Sequence, residues 1–202
     1  MTWKNDQVSE VETEKIVKIA KQCLGVEGDF VEIVCYKVDT SLLLAEVLRW
    51  YNRDVDVKKP VEKDVKNLWI YDSFEGLPSK TNKDLSALGV LFRKGELFVS
   101  KREVKERFLR AGLKVPKIKK GWFRDLTLAD LPERLAFAFL DGDFYESIRD
   151  SLELVGPKMT KGGVIVVHDY NNMALPGVKK AVDEYIGNDK KIEIFESLAI
   201  IS

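Results

Sequence analysis

Apolar positions along this chain change their period repeatedly, and each change marks an element. Between residues 8 and 24 they fall at Val8, Val11, Ile16, Val17, Ala20, Cys23 and Leu24, the spacing of one helix face. Ser9 and Glu12 stand at capping-box spacing, so an amphipathic helix is predicted there. After a loop over residues 25–29, the run FVEIVCY (30–36) is rich in β-branched and aromatic residues. Asp39 or Thr40 then serves as N-cap for a helix over residues 41–51.

Residues 52–67 are polar, lysine-rich and interrupted by Pro60, which reads as a surface connection. LWIY (68–71) is a second short strand ending in Asp72. The stretch 78–100 has no clear period and is read as a lid. Ser100 with Glu103 repeats the capping-box spacing ahead of a helix that Gly112 closes. Further strands are predicted near 115–119 and at 135–140, with a helix over 147–155. Lys161-Gly162-Gly163 turns the chain into a strand over 164–170, and Pro176 opens another helix at its favoured first position. IEIF (192–195) and LAII (198–201) close the chain as a hairpin. Such alternation predicts an α/β fold: one mostly parallel sheet of about seven strands, helices on both faces, right-handed crossovers and one antiparallel edge.

Composition narrows the class. A chain of 202 residues can bury one sizeable core, and residues 1–202 are read as a single domain. Hydrophobic residues make up 45% and charged residues 33%, as in a globular protein, and Lys+Arg 33 balances Asp+Glu 33. No global charge attracts nucleic acid. Cys23 and Cys35 lack CxxC spacing, which argues against a disulfide framework or zinc site and for a reduced, cytoplasmic setting. The first residues lack the apolar core of a signal peptide, and no apolar run approaches the roughly 20 residues that span a bilayer. No membrane partner is expected, and a homo-oligomer stays open.

Chemistry concentrates where apolar runs end in acids. FAFLDGD (137–143) and VIVVHDY (164–170) read as buried parallel strands, and ligands of open α/β sheets sit beyond the carboxyl ends of strands. Asp141, Asp143, His168 and Asp169 are therefore expected to converge. Two carboxylates and an imidazole suit Mg²⁺, Mn²⁺ or another divalent ion. Alternatively, Asp141 and Asp143 cap the helix near Ser147 and His168 is a satisfied core histidine. As the only histidine, His168 would have to carry any Cys/His or Ser/His/Asp hydrolase. Asp141-Gly142-Asp143 also looks like the aspartate pair of haloacid-dehalogenase-type phosphatases, but Tyr145 stands where Thr or Val is wanted, and that reading is set aside.

Asp72, after the second strand, can accept both hydroxyl protons of a ribose, or it can open an Asx turn over 72–76. Glu32 lies inside an apolar strand, where an unpaired carboxylate is costly. Its donor is either a ligand's amino group or a backbone amide or buried lysine. Trp122 and Phe123 can wall a flat heterocycle or pack into the core. Lys58-Lys59, Lys119-Lys120 and Lys190-Lys191 read as solvated surface.

Seven segments, in order, carry a family resemblance: GDFVE (28–32), YDSFEGLP (71–78), GELFVS (95–100), GWFRD (121–125), LDGDFYES (140–147), GGVIVVHDY (162–170) and PGVKKAV (176–182). Together they resemble the macrocin O-methyltransferase family, S-adenosylmethionine-dependent enzymes that methylate sugar hydroxyls in antibiotic pathways. The resemblance implies a class I methyltransferase Rossmann-like fold with strand order 3-2-1-4-5-7-6 and strand 7 antiparallel. It implies a cofactor site of Glu32, Tyr36, Asp72, Ser73, Trp122, Phe123 and Asp141. Asp72 would hold the ribose, Glu32 and the following turn the methionine end, and Trp122-Phe123 the adenine. A divalent metal would be held by Asp141, His168 and Asp169, with Asp143 or His168 as base toward a small-molecule hydroxyl.

Two segments depart from the family pattern. His168-Asp169-Tyr170 stands where the family writes Asp-Asp-Tyr, and imidazole binds Mg²⁺ more weakly than carboxylate does. In the first turn, Val34 and Val38 occupy positions where the family has glycine, which permits positive φ and close ligand approach. The chain is thus expected to be a metal-assisted O-methyltransferase acting on a sugar or related small molecule. The rival expectation is a degenerate methyltransferase fold, weak in cofactor binding, that works as a binding or partner module.

Overall fold

In the computed structural model, residues 8–56, 65–88, 91–187 and 191–202 are described. The first helix, α1 (Glu10–Gln22), opens with the expected capping box: the Ser9 hydroxyl accepts from the Glu12 amide at 3.3 Å, and the Glu12 carboxylate accepts from the Ser9 amide at 3.1 Å. Strand β1 (Asp29–Ile33) leads into α2 (Asp39–Asp56), β2 (Leu68–Asp72), α3 (Lys101–Arg110) and β3 (Lys117–Lys120). The second half comprises β4 (Leu135–Leu140), α4 (Tyr145–Val155), β5 (Met159–Val167), α5 (Pro176–Ile186), β6 (Ile192–Phe195) and β7 (Leu198–Ile201).

These strands form one seven-stranded sheet in the order β3-β2-β1-β4-β5-β7-β6. Neighbours from β3 to β5 run parallel, whereas β7 runs antiparallel to both β5 and β6. All six residues of β4 are buried, as its unbroken apolar run requires of a central strand covered on both faces. Its pleat divides the core: Phe137 and Phe139 pack with Ile16, Leu42 and Phe108 of α1, α2 and α3, while Ala138 and Leu140 pack with Ile148, Leu152 and Val182 of α4 and α5.

Four local expectations are corrected. The residues Lys161-Gly162-Gly163 lie inside β5 as a bulge, where Leu135 faces Met159 but Phe137 faces Val164, and Gly162 takes φ +86°. Helix α2 includes Asp39, which lies in its first turn and accepts from Arg107 at 2.5 Å, so it is not the N-cap. Strand β1 ends at Ile33, short of Tyr36. Helix α4 begins two residues before Ser147 because a distant side chain caps it: Asp84 Oδ1 accepts from the Tyr145 amide at 2.7 Å.

Residues expected to form a lid are tied to the body in two places. Lys83 pairs with Glu184 at 2.8 Å beside the Asp84 cap, and residues 95–97 form a strap held to Leu77 by two backbone hydrogen bonds of 2.8 and 2.9 Å. Lys119 pairs with Asp130 and Lys120 with Glu75. The N-terminal seven residues, Lys58-Lys59, Pro60 and Lys190 lie outside the described residues. Among those described, no helix is long and apolar enough to cross a membrane.

Candidate active site

Parallel pairing of β4 and β5 sets Leu140 beside Val167, which brings the residues after them, Asp141 and His168, together. The ladder continues past the strands: the Asp141 amide donates to Ile33 O at 3.0 Å and the His168 amide to Leu140 O at 2.9 Å. His168 Nδ1 then lies 2.9 Å from Asp141 Oδ1 and 3.2 Å from Asp169 Oδ2. The opposite ring nitrogen faces Glu12 Oε2 at 3.9 Å. Burial works against an imidazolium here, but Asp141, Asp169 and Glu12 outweigh it and hold the ring's pKa well above its ordinary value. His168 leads the groups that hold Glu12 well below the usual carboxylate range.

Asp143, like Glu12, is buried, and its backbone is left-handed, with φ 59°. Burial first, and then the charges of Asp141 and Asp169, push its carboxyl well above the usual range. Neither Asp141 nor Asp143 caps α4, since that role belongs to Asp84.

The first turn supplies the other half of the site. Val34 and Val38 take φ of 69° and 61°, so the turn keeps the left-handed geometry that glycine favours although both residues are β-branched. Between them, the Cys35 amide donates to Asp72 Oδ2 at 3.1 Å, and Asp72 Oδ1 accepts from the Phe74 amide at 2.6 Å. Asp72 therefore forms the Asx turn and, across the tips of β1 and β2, fixes the first turn as well. The Ser73 hydroxyl accepts from the Glu75 amide at 3.1 Å.

Glu32 is 2% exposed, and among the described residues its Oε2 has no hydrogen-bond partner. The backbone amide or lysine partner is not found. Burial pushes its carboxyl up to about 8; the neighbouring Ser41 hydroxyl offsets part of this, and Asp141, Asp72 and Asp39 add to it. Ser41 Oγ itself lacks a partner of ordinary hydrogen-bond geometry.

Two small cavities lie at the strand tips, each of about 30 Å³. Glu32, Tyr36, Asp141 and Asp169 line one; Asp72, Ser73, Trp122 and Phe123 line the other. Val34, Leu97 and Asp143 line both. Each cavity has room for about one water, so the groove is interrupted where Val34 and the strap meet. Gly76, at φ +74°, allows the strap to approach, because a Cβ there would lie 2.6 Å from Glu96 O. Phe123 is buried, so it serves both as core and as wall.

The donor set suits both groups that the sequence implied. Ligand atoms of Asp141, His168 and Asp169 all lie within 4.8 Å of one another. Adjacent ligands of an octahedral ion with bonds of about 2.1 Å sit roughly 3 Å apart, close to the two His168 distances. The nitrogen donor favours Mn²⁺ or a later divalent ion over Mg²⁺. For the cofactor, the buried Glu32 oxygen can accept from an ammonium group and Asp72 sits at the β2 tip, while Val34 and Leu97 border both cavities. Glu12 is the site residue that sequence reading missed, because its capping role already accounted for a glutamate there.

A seven-stranded sheet in this order, with β7 antiparallel and acids gathered beyond β4 and β5, defines a class I methyltransferase fold. The chain belongs to the macrocin O-methyltransferase family, whose profile, Macrocin-O-methyltransferase (TylF), matches residues 10–199. It is 34% identical over 170 residues to 8-demethyl-8-(2,3-dimethoxy-alpha-L-rhamnosyl)-tetracenomycin-C 4'-O-methyltransferase of Streptomyces olivaceus, covering 81% of this chain and 59% of that protein. It is 33% identical over 180 residues to demethyldecarbamoylnovobiocin O-methyltransferase of Streptomyces niveus, covering 85% and 64%. The chain thus spans about three-fifths of the length of these relatives. Among solved structures, the O-methyltransferase NovP superposes with TM-score 0.75 at 29% identity, covering 94% of this chain and 78% of that one. The calicheamicin methyltransferase CalS11 gives TM-score 0.75 at 18% identity, covering 95% and 78%, a likeness of fold.

Proposed function

We propose that this chain is a single methyltransferase-like domain that methylates a hydroxyl of a sugar or related small molecule, with S-adenosylmethionine as donor and a divalent ion at the acid cluster. The observation that carries this reading is the Glu32 carboxyl, buried at the groove with its Oε2 unpartnered among the described residues. An ammonium group is the partner such a carboxyl lacks, and the methionine end of the cofactor carries one. Asp72 with Ser73 would take the ribose, Trp122 and Phe123 the adenine, and Tyr36 the turn side of the methionine end. When bound, the cofactor supplies an electrophilic methyl group. The names of the two Streptomyces relatives, methyltransferases of a dimethoxyrhamnosyl tetracenomycin and of demethyldecarbamoylnovobiocin, support an acceptor of this class.

Asp143 is the base. It borders both cavities, and a carboxylate with raised pKa is a stronger proton acceptor than an ordinary one. His168 is poorly placed for that task, because the ring is 5% exposed and both nitrogens face carboxylates. A divalent ion held by Asp141, His168 and Asp169 would draw charge from an acceptor hydroxyl and ease loss of its proton.

Val34, Val38 and the interrupted groove favour the rival reading, a binding module that has lost efficient cofactor binding. Calorimetric titration with S-adenosylmethionine and S-adenosylhomocysteine, with and without Mg²⁺ or Mn²⁺, separates the two. Saturable binding that Asp72→Asn weakens supports the enzyme. No heat at millimolar ligand overturns it.

A further inference from the structure

The acid cluster has an outer member to which the proposed chemistry gives no part. Glu12 lies on α1 yet is 5% exposed. Its Oε1 accepts from the Ser197 amide at 2.9 Å and hydroxyl at 2.5 Å, in the turn between β6 and β7. Its Oε2 accepts from the Ser9 amide at 3.1 Å and hydroxyl at 2.6 Å, and the same oxygen faces His168 Nε2 at 3.9 Å. Four donors from Ser9 and Ser197 therefore fix this carboxylate independently of the histidine.

The His168 ring is thus bracketed. Nδ1 points at Asp141 and Asp169, and Nε2 at Glu12. A histidine that binds a metal through one nitrogen commonly presents its other N–H to a carboxylate, which selects the tautomer and the ring plane. The departure at position 168 fits the same logic. An aspartate there would meet Glu12 as a like charge, whereas an imidazole turns a polarised N–H edge toward it across 3.9 Å.

We propose that Glu12 is the positioning residue of a histidine-containing metal centre: its carboxylate, 3.9 Å from Nε2, favours the proton on that nitrogen so that Nδ1 joins Asp141 and Asp169, giving a site that takes Mn²⁺ or a similar transition divalent ion in preference to Mg²⁺. This rests on the metal reading above. Glu12 touches neither the acceptor nor the cofactor in this scheme and acts only through His168.

Because His168 is the only histidine, side-chain ¹⁵N NMR of protein carrying a histidine-free purification tag reports this ring alone. With Zn²⁺ as a diamagnetic probe, the wild type should have a metal-bound Nδ1 and a proton on Nε2. Glu12→Gln should lose that single tautomer and bind Mn²⁺ about 10- to 100-fold more weakly by calorimetry. Ser197→Ala removes a hydrogen bond from the far oxygen of Glu12; it should lower thermal stability yet leave Mn²⁺ affinity unchanged.

Asp169→Ala separates the two claims. If the wild type binds no Mn²⁺, or Asp169→Ala binds it equally well, the metal reading falls and the role of Glu12 with it. If Asp169→Ala abolishes Mn²⁺ binding while Glu12→Gln changes neither affinity nor tautomer, only the role of Glu12 is overturned. Mg²⁺ binding as tight as Mn²⁺ overturns the selectivity. Should Glu12→Gln fail to fold, the wild-type spectrum still decides, since Zn²⁺ on Nε2 contradicts the proposal.

Discussion

Val34 and Leu97 line both small cavities at the strand tips, so a valine and a leucine stand, with Asp143, between the Glu32 side of the groove and the Asp72 side. Val34 does so from a left-handed backbone at φ 69°, and Val38 repeats that conformation at φ 61°. The turn holds this shape because its backbone is committed at several points: the Val34 amide donates to Tyr71 O at 2.9 Å, the Val38 amide to Cys35 O at 2.9 Å, and the Cys35 amide to Asp72. Strain and obstruction thus coincide at one residue, where the cofactor's methionine end should pass.

Val34→Gly is expected to leave stability within about 1 kcal/mol of wild type. Relief of a left-handed β-branched residue, about 1–2 kcal/mol, offsets the loss of a partly buried side chain and the entropy of glycine. S-adenosylhomocysteine affinity should rise by about tenfold, as 1.4 kcal/mol of relieved crowding would give. Chemical denaturation and calorimetry check the two halves separately, and unchanged affinity would show that Val34 does not crowd the cofactor.

Leu97→Ala tests the strap from the other side. The strap is held to Leu77 by the main chain of Gly95 and Glu96, which the substitution leaves in place, so only the partition is lost. Association of S-adenosylhomocysteine, followed by stopped-flow tryptophan fluorescence with Trp122→Phe as the control that isolates its share of the signal, should become faster with little change in unfolding midpoint. An unchanged association rate means that Leu97 does not gate the groove.

Much of this site was legible because local rules wrote it. Ser9 with Glu12 and Ser100 with Glu103 form the capping boxes that their spacing predicted, and the apolar runs ending at Leu140 and Val167 place Asp141 beside His168. What escaped depends on contacts remote in sequence. Asp84 caps α4 from a stretch without periodicity, and Glu12 reaches Ser197 and His168 while also capping its own helix. The β5 bulge escaped for another reason: a glycine pair reads as a turn unless the partner strand is known. The valines of the first turn take the left-handed backbone that glycine favours, because Asp72 and Tyr71 hold the turn from β2.

Glu32 gives the ligand-free protein a pH dependence whose sign can be worked out. Its carboxyl ionises near 4.5 when unfolded and at about 8 when folded, so in that window the folded state holds a proton that the unfolded state has released. Stability therefore falls as pH rises from about 4.5 to 8, by roughly 1.4 kcal/mol per unit at most from this group. Glu32→Gln should match wild type near pH 4.5 and exceed it by a few kcal/mol at pH 8 in urea denaturation. An equal difference at both pH values would mean that the carboxyl is not the source. The same variant should bind S-adenosylmethionine more weakly, because the ammonium loses its partner.

Asp143→Asn separates the base from the scaffold. Asparagine tolerates the left-handed φ of 59°, and it removes a carboxyl crowded by burial and by Asp141 and Asp169, so the unfolding midpoint at pH 8 should rise. An amide cannot accept the acceptor's proton, so methyl transfer to a panel of glycosides should fall by about a hundredfold or more while S-adenosylhomocysteine affinity changes little. Gain in stability with loss of rate is what a carboxyl kept for chemistry should give. A variant that gains stability and keeps its rate would instead leave Asp143 as a buried acid without a task, and would return the role of base to His168 despite the carboxylates on either side of its ring.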